Sequence, residues 1–244
     1  MGRMGSLYVV SDVHGYAGDL RRGLEEARFG HDDELWILGD LLDRGPDGIG
    51  TVDLVMSLQN EAPDRVHVLM GNHEILALGR YRFPRTRFLD SWIINGGRSS
   101  DQRALTEEHV DWLASLPLLG RAGDFLMMHS DTTAYAGWGE SIDEVNETVR
   151  NALSDPLDFQ AHWDVWVKLT GRYHFARSNG EEIALKMLAI FGGEIIIHGH
   201  SIIGTLTHVP SDEVTQPLVY AEGKVMDIDG GRYDGGPLFV VRLQ

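Results

Sequence analysis

Cysteine is absent from the 244 residues. That excludes disulfides, thiolate zinc sites and every enzyme built on a cysteine nucleophile, the cysteine-based phosphatases included. Long apolar runs are also missing. No segment approaches the ~18 residues of a membrane span, and the run Leu7 to Val10 behind Arg3 is too short for a secretory signal. Positive charge is scarce: 21 Lys and Arg face 37 Asp and Glu, a formal net charge of −16. Such a surface repels polyanions, so neither nucleic acid nor an anionic membrane is an expected partner. No glycine-rich loop ending in Lys-Ser or Lys-Thr occurs, which disfavours a P-loop triphosphatase. The opening Met1-Gly2-Arg3-Met4-Gly5-Ser6 fits a myristoylation pattern, but strand-like sequence follows at once, and a cytoplasmic enzyme is the expectation. What the chain does have is 11 histidines. With no thiolate to join them, they point to metal held by nitrogen and oxygen.

Hydrophobic residues make up 43% of the chain and charged ones 24%, the balance of a folded globular protein. Five short apolar runs each stop at a polar residue able to bind metal. They are Leu7–Val10 before Asp12, Leu35–Leu38 before Asp40, Val66–Met70 before Asn72 and His73, Phe125–Met128 before His129, and Ile195–Ile197 before His198 and His200. Runs this brief with such stops read as buried strands. Helical patterns lie between them at Asp19–Phe29, at Asp47–Gln59 behind Pro46, from a Ser141–Glu144 capping box to about Leu153, and at Glu181–Phe191 before Gly192. Toward the end, Leu218–Ala221, Lys224–Ile228 and Leu238–Leu243 predict an antiparallel meander joined by Glu222-Gly223 and the glycine-rich stretch Asp229–Gly236. The expectation is one α/β domain over 1–244, with layered sheets and flanking helices.

Ligands of open α/β sheets sit beyond the carboxyl ends of the strands. One strand-end Asp or His is most often a structural hydrogen bonder. Five on one edge would repel or be badly desolvated without a cation among them. Asp12 and His14 can turn toward one ion, Asp40 can bridge two through its two oxygens, and Asn72, His129 and His200 can complete the second. Mixed oxygen and nitrogen donors suit manganese, iron or zinc better than magnesium or calcium.

The blocks Ser11-Asp12-Val13-His14-Gly15, Gly39-Asp40-Leu41-Leu42-Asp43-Arg44-Gly45 and Gly71-Asn72-His73-Glu74, followed by His129 and Gly199-His200-Ser201, closely resemble those of the calcineurin-like metallophosphoesterases. Arg44 and Glu74 make the chain similar to the phosphoprotein phosphatase branch, near its bacterial and phage members. The resemblance implies a layered α-β-β-α sandwich and two divalent ions, manganese first. It implies Asp12, His14 and Asp40 on the first ion, and Asp40, Asn72, His129 and His200 on the second. His73 would be the general acid, Asp43 its orienting partner and Arg44 a phosphate clamp. A carboxylate behind His73 would fix its ring for proton donation, and a guanidinium beside the ions would grip phosphate oxygens in pairs.

Departures from the family pattern carry their own expectations. Ile202 stands where many relatives place a further histidine, so water is expected to complete the first ion. Ser130-Asp131 follows His129 where eukaryotic protein phosphatases have two glycines, which argues against protein-phosphatase activity. Lys168 and Arg172 both qualify as the second phosphate clamp. His198 is either a neighbour of the site or a packed strand-end residue, and Tyr233 either lines the site mouth or is a plain loop residue. Arg80, Arg82, Arg85 and Arg87, interleaved with aromatics, either guide an anionic substrate or form a solvated helix end; Trp163 and Trp166 read as packing.

The implied reaction is hydrolysis of a phosphomonoester by a metal-bridging hydroxide. The rivals are a hydrolase of dinucleoside polyphosphates, a protein serine/threonine phosphatase and, last, a non-catalytic metal-bound scaffold. That scaffold should have lost His73, Asp43 or Arg44, and all three are present. Specificity is expected in the inter-motif segments 80–120 and 131–190. The sequence carries no signature of an oligomeric state.

Overall fold

The computed structural model describes residues 5–243, so residues 1–4 of the possible myristoylation pattern lie outside the described residues. Alternating strands and helices open the chain: β1 (Leu7–Val10), α1 (Ala17–Glu26), β2 (Glu34–Ile37), α2 (Gly48–Glu61), β3 (Val66–Val68) and α3 (Asn72–Arg82). A helical stretch follows, α4 (Arg87–Ile94), α5 (Ser99–Ala104) and α6 (Glu107–Ser115). Next come β4 (Leu119–Ala122), β5 (Phe125–Met128), α7 (Ile142–Ser154), α8 (Phe159–Leu169) and α9 (Gly180–Phe191). The chain closes with β6 (Ile195–His198), α10 (Ile203–Thr207), β7 (Leu218–Tyr220), β8 (Val225–Asp227) and β9 (Val241–Arg242).

The strands form two sheets, in the orders β3-β2-β1-β9 and β4-β5-β6-β8-β7. Side-chain alternation explains the layering. Leu7 and Val9 of β1, with Trp36 of β2, meet Ala122, Met127 and Ile197 of the other sheet in one buried cluster. Tyr8 and Val10 point the opposite way, into a core shared with Leu20, Leu24, Val52 and Val55 of α1 and α2. Leu126, Met128 and Ile196 do the same against α7 and α9. The result is the expected α-β-β-α stack. Gly120 lets the sheets approach, because a Cβ there would lie 2.1 Å from the Trp36 ring.

The carboxy-terminal meander is not what forms. β7 and β8 make the expected hairpin, but β8 also pairs parallel with β6, and β9 crosses to the other sheet to pair antiparallel with β1. The run Asp229–Gly236 is therefore a crossing over the strand ends, not a hairpin turn. Local chemistry sets two helix starts. Asp47 caps α2 by accepting from the Gly50 N–H at 2.9 Å, which leaves Pro46 one residue ahead of the cap. Ser141 caps α7, but the Glu144 carboxylate takes the Glu140 N–H (2.8 Å) instead of closing the box on Ser141.

Candidate active site

Every strand-end motif lands on one edge of the paired sheets. The turn after β1 is tied to the turn after β2 by Asp12 N–H to Gly39 O (3.1 Å), His14 N–H to Asp40 O (2.8 Å) and Gly15 N–H to Leu41 O (2.8 Å). The turn after β6 is tied to β5 by Gly199 N–H to His129 O (2.9 Å). These sharp turns place Asp12, His14, Asp40, Asp43, Arg44 and His200 at positive φ, between 44° and 68°. Non-glycine residues hold this left-handed region only when their surroundings enforce it, and such strain gathers at functional sites. Two glycines make room for the carboxylates: a Cβ on Gly71 would lie 2.2 Å from Asp40 Oδ1, and one on Gly199 would lie 2.1 Å from Asp12 Oδ2.

The buried Asp40 carboxylate divides two donor sets. Its Oδ2 is 3.6 Å from His14 Nε2, and Asp12 Oδ1 is 3.9 Å from the same nitrogen. Its Oδ1 is 3.3 Å from His129 Nε2, which lies 3.1 Å from Asn72 Oδ1. Second contacts fix the rings. His14 Nδ1 donates to Leu42 O and His129 Nδ1 to Leu38 O, each at 2.8 Å, which turns Nε2 of both toward Asp40. Asp12 spends Oδ2 on the Ser11 hydroxyl (2.6 Å) and the His200 N–H (2.8 Å), and so presents Oδ1.

The electrostatics fit a cation. Burial above all, then the charge of His73 for His14 and of Arg172 for His200, pushes both imidazoles well below the usual range. Neutral imidazole is the form that ligates. Both His200 ring nitrogens are buried and have no hydrogen-bond partner among the described residues. Burial also raises Asp12, with the Asp40 charge adding to it. Burial alone would lower His129, but Asp40, Asp12 and Glu74 outweigh it and push it up to about 9. Unpartnered imidazole nitrogens beside crowded carboxylates are a donor set lacking its acceptor. Geometry groups Asp40, His129 and His200 as possible ligands, and likewise His14, Asp40 and His73. At His73, however, Arg44 Nη2 stands 3.3 Å from Nε2, a fixed positive charge that disfavours a cation on that nitrogen. Asp12, with Oδ1 3.9 Å from His14 Nε2, is a second carboxylate within reach of that set.

His73 and Arg44 form the second half of the site. His73 Nδ1 donates to Asp43 Oδ2 (2.8 Å), while Asp43 Oδ1 accepts from Trp92 Nε1 (3.1 Å) and the Arg98 N–H (3.3 Å). The ring is thereby held with Nε2 facing Asp40 Oδ2, 4.0 Å away. The Arg44 guanidinium lies 3.9 Å over the Tyr233 ring, and its buried Nε has no partner among the described residues. Tyr233 stands edge-on to His14 at 5.2 Å, which puts it at the site mouth.

The family model for calcineurin-like phosphoesterases matches residues 5–204. The chain belongs to that family. It is 44% identical over 71 residues to the symmetrical bis(5'-nucleosyl)-tetraphosphatase of Buchnera aphidicola, covering 29% of this chain and 24% of that one. To the enzyme of the same name from Vibrio parahaemolyticus it is 32% identical over 125 residues, covering 50% and 43%. The chain thus spans less than half the length of these curated relatives. A cold-active protein-tyrosine phosphatase from a Shewanella species superposes with a TM-score of 0.74 at 20% identity, covering 99% of this chain and 76% of that one. A protein serine/threonine phosphatase from Saccharomyces cerevisiae gives 0.61 at 17%, covering 96% and 70%. Identities this low speak to fold alone.

Within this calcineurin-like phosphoesterase Arg172 and Lys168 have different surroundings. Arg172 Nη1 donates to His200 O at the site, whereas the Lys168 ammonium sits 4.9 Å over the Trp138 ring. His198 is buried and shares hydrogen bonds with Gly199 O (Nδ1, 2.8 Å) and the Tyr220 hydroxyl (Nε2, 2.7 Å). The buried Ile202 packs under Gly231 and offers no donor. The arginine run braces helices. Arg82 donates to Leu153 O (2.9 Å), and the Arg87 guanidinium caps the Trp163 ring at 4.1 Å. Trp163 and Trp166 pack around Phe88 and Phe159. Among the described residues, no helix is long and apolar enough to cross a membrane.

Three residues support the site from behind, and their hydrogen bonds were not legible in the sequence. Trp92 anchors Asp43, as described. Buried Asp131 accepts from Ser201 Oγ and the Tyr173 N–H, both at 2.6 Å, and so joins the loop bearing Arg172 to the His200 turn. Glu74 reaches back from α3 to accept from the N–H groups of Asp40, Leu41 and Gly71, each at 2.8 Å. Burial, then the Asp40 charge, pushes Glu74 up to about 7. Glu74→Ala would leave three buried N–H donors unpaired. It should cost about 3 kcal/mol or more at the ~1–3 kcal/mol of each orphaned group, read as a lowered midpoint in denaturant unfolding. A midpoint within error of wild type would show that water replaces the carboxylate.

Proposed function

We propose that the chain is a dinuclear metal-dependent phosphoesterase that hydrolyses small phosphate monoesters, with manganese as the preferred ion ahead of iron or zinc. The observation that carries the reading is Asp40, which turns one carboxylate oxygen to each of two donor sets. Asp12, His14 and Asp40 would hold one ion; Asp40, Asn72, His129 and His200 the other. Such a pair supplies Lewis-acid polarisation of the phosphoryl group and an activated water nucleophile. The protein's part is positioning and proton transfer. Arg44 and Arg172 grip the phosphoryl oxygens from two sides, where a planar guanidinium can make paired contacts. His73, steered by Asp43, delivers a proton from Nε2 to the departing oxygen.

Specificity is assigned to the helical segments 80–120 and 131–190. The relatives named as tetraphosphatases favour a second reading, in which the ester is a dinucleoside polyphosphate. A panel of aryl and sugar phosphates, nucleotides, dinucleoside polyphosphates and a phosphoprotein, run on chelator-treated enzyme with and without manganese, tests both. Small monoesters turned over only with metal support the first reading. A dinucleotide with the highest kcat/KM favours the second, and undiminished activity without metal overturns both.

The clamp assignment has its own check. Arg172→Ala should lower kcat/KM by about tenfold or more, as expected for a lost charge-assisted hydrogen bond. Lys168→Ala should stay within about twofold, as for an exposed charge. Equal losses would put both cations on the phosphate.

A further inference from the structure

Arg44 also forms one wall of a cavity of about 510 Å3, lined further by Arg98, Tyr233, Ile94 and the pair Gly96–Gly97. We propose that this cavity binds a second phosphate group of the substrate, beyond the one being hydrolysed, and that Arg98 is the residue that recognises it. The inference rests on the phosphoesterase reading and deepens it: among small phosphate monoesters, those that carry a second phosphate are favoured.

Charge is the first argument. In a chain with a net charge of −16, this lining holds two guanidiniums and no carboxylate. By contrast, a cavity of about 380 Å3 between α2 and α6 is lined by Asp53, Glu61 and Glu108. A positive recess on an acidic molecule selects and concentrates anions. The second argument is that Arg98 is unspent. Its backbone N–H is held by Asp43, but its exposed side chain makes no hydrogen bond or ion pair among the described residues. Five donors in a rigid fork are left for a ligand.

Geometry is the third. The Arg44 N–H donates to Gly96 O (2.9 Å), and the Arg98 N–H donates to Asp43 Oδ1 (3.3 Å), the same oxygen that Trp92 holds. The loop bearing Arg98 and the turn bearing Arg44 are therefore one hydrogen-bonded frame, which fixes the spacing of the two backbones. Glycine lets that frame close up, against Arg44 at one position and against Trp92 at the next. Gly96 stands at φ +84°, where a Cβ would come within 3.0 Å of Arg44 Cγ, and a Cβ on Gly97 would lie 2.1 Å from the Trp92 ring. The second phosphate would lie across that backbone, between Arg44 and Arg98. The exposed Ile94 on the rim offers apolar contact to whatever the distal phosphate carries.

The test uses inorganic orthophosphate and inorganic pyrophosphate as competitive inhibitors of p-nitrophenyl phosphate hydrolysis by the manganese-loaded full chain. The readout is the ratio of their inhibition constants, in which any general loss of activity cancels. Chelation by pyrophosphate acts on every variant alike. Arg98→Ala should weaken pyrophosphate relative to orthophosphate by about tenfold, the low end for a charged hydrogen bond at an exposed group. Arg98→Lys, which keeps the charge but loses the fork, should fall between. An unchanged ratio in Arg98→Ala overturns the inference and leaves the phosphoesterase reading intact. Absence of hydrolysis in folded, manganese-loaded wild type overturns that reading and takes the inference with it.

Discussion

Asp40→Asn is expected to empty both halves of the metal centre at once and to lower kcat/KM by about 10³-fold or more, well beyond the ~10–100-fold of an outer-shell loss. The expectation follows from geometry: Asp40 alone has an oxygen on each donor set, at 3.6 Å from His14 Nε2 and 3.3 Å from His129 Nε2. The charge matters as well as the contact. Asp40 is held well below the usual carboxylate range: burial opposes the ionised form, but the charges of His129 and His73 overcome it. An amide of the same shape keeps one oxygen for one ion and brings no negative charge to either. Asn72→Ala touches only the His129 side, so it should deplete one ion and leave the other. Metal per chain by plasma emission, measured beside kcat/KM on both variants, checks this. Equal depletion in the two variants would show that Asp40 does not bridge.

His73→Asn should separate substrates by their leaving groups. Its Nδ1 is committed to Asp43 at 2.8 Å, and Asp43 is itself held by Trp92 and the Arg98 N–H, so the ring can offer a proton only from Nε2. General acid catalysis is worth roughly 10²–10⁴-fold when the departing oxygen is basic, and little when it leaves as a stable aryl oxide. Alkyl phosphate hydrolysis should therefore fall by about that factor, and nitrophenyl phosphate hydrolysis by far less. The His73 N–H to Asp40 Oδ1 bond (2.9 Å) belongs to the backbone and survives the change, so metal content should hold. Asp43→Asn should give a milder form of the same pattern. Lost metal in His73→Asn would make His73 a ligand, and equal losses on alkyl and aryl esters would make it a phosphate binder.

The parts of the site visible in the sequence are those whose information is local. Asp12 with His14, Asp40 with Asp43 and Arg44, and Asn72 with His73 each sit on one tight turn after one strand, so a short block encodes both the residues and their juxtaposition. Packing strands into two layers then needs only the apolar runs. What stayed hidden depends on partners far apart in the chain. Arg172 and Lys168 were indistinguishable by spacing. Arg172 is set at the site by a loop that Asp131 holds from 42 residues away, through the Tyr173 N–H. The last strand read as the end of a meander because nothing in Leu238–Leu243 says which sheet edge is free. The open edge beside β1 takes it. His198 carries the residue type of a ligand, and its ring nitrogens are taken by Gly199 O and by the Tyr220 hydroxyl 22 positions on, a pairing that no spacing encodes.

Anomalous diffraction at the manganese edge, from crystals grown with manganese, tests the paired centre most directly. Two peaks about 3.5–4 Å apart, one on each side of the Asp40 carboxylate and the second against His200, are the predicted result. A single peak shared by His14 and His129, or none within reach of Asp40 in an active enzyme, would contradict the account.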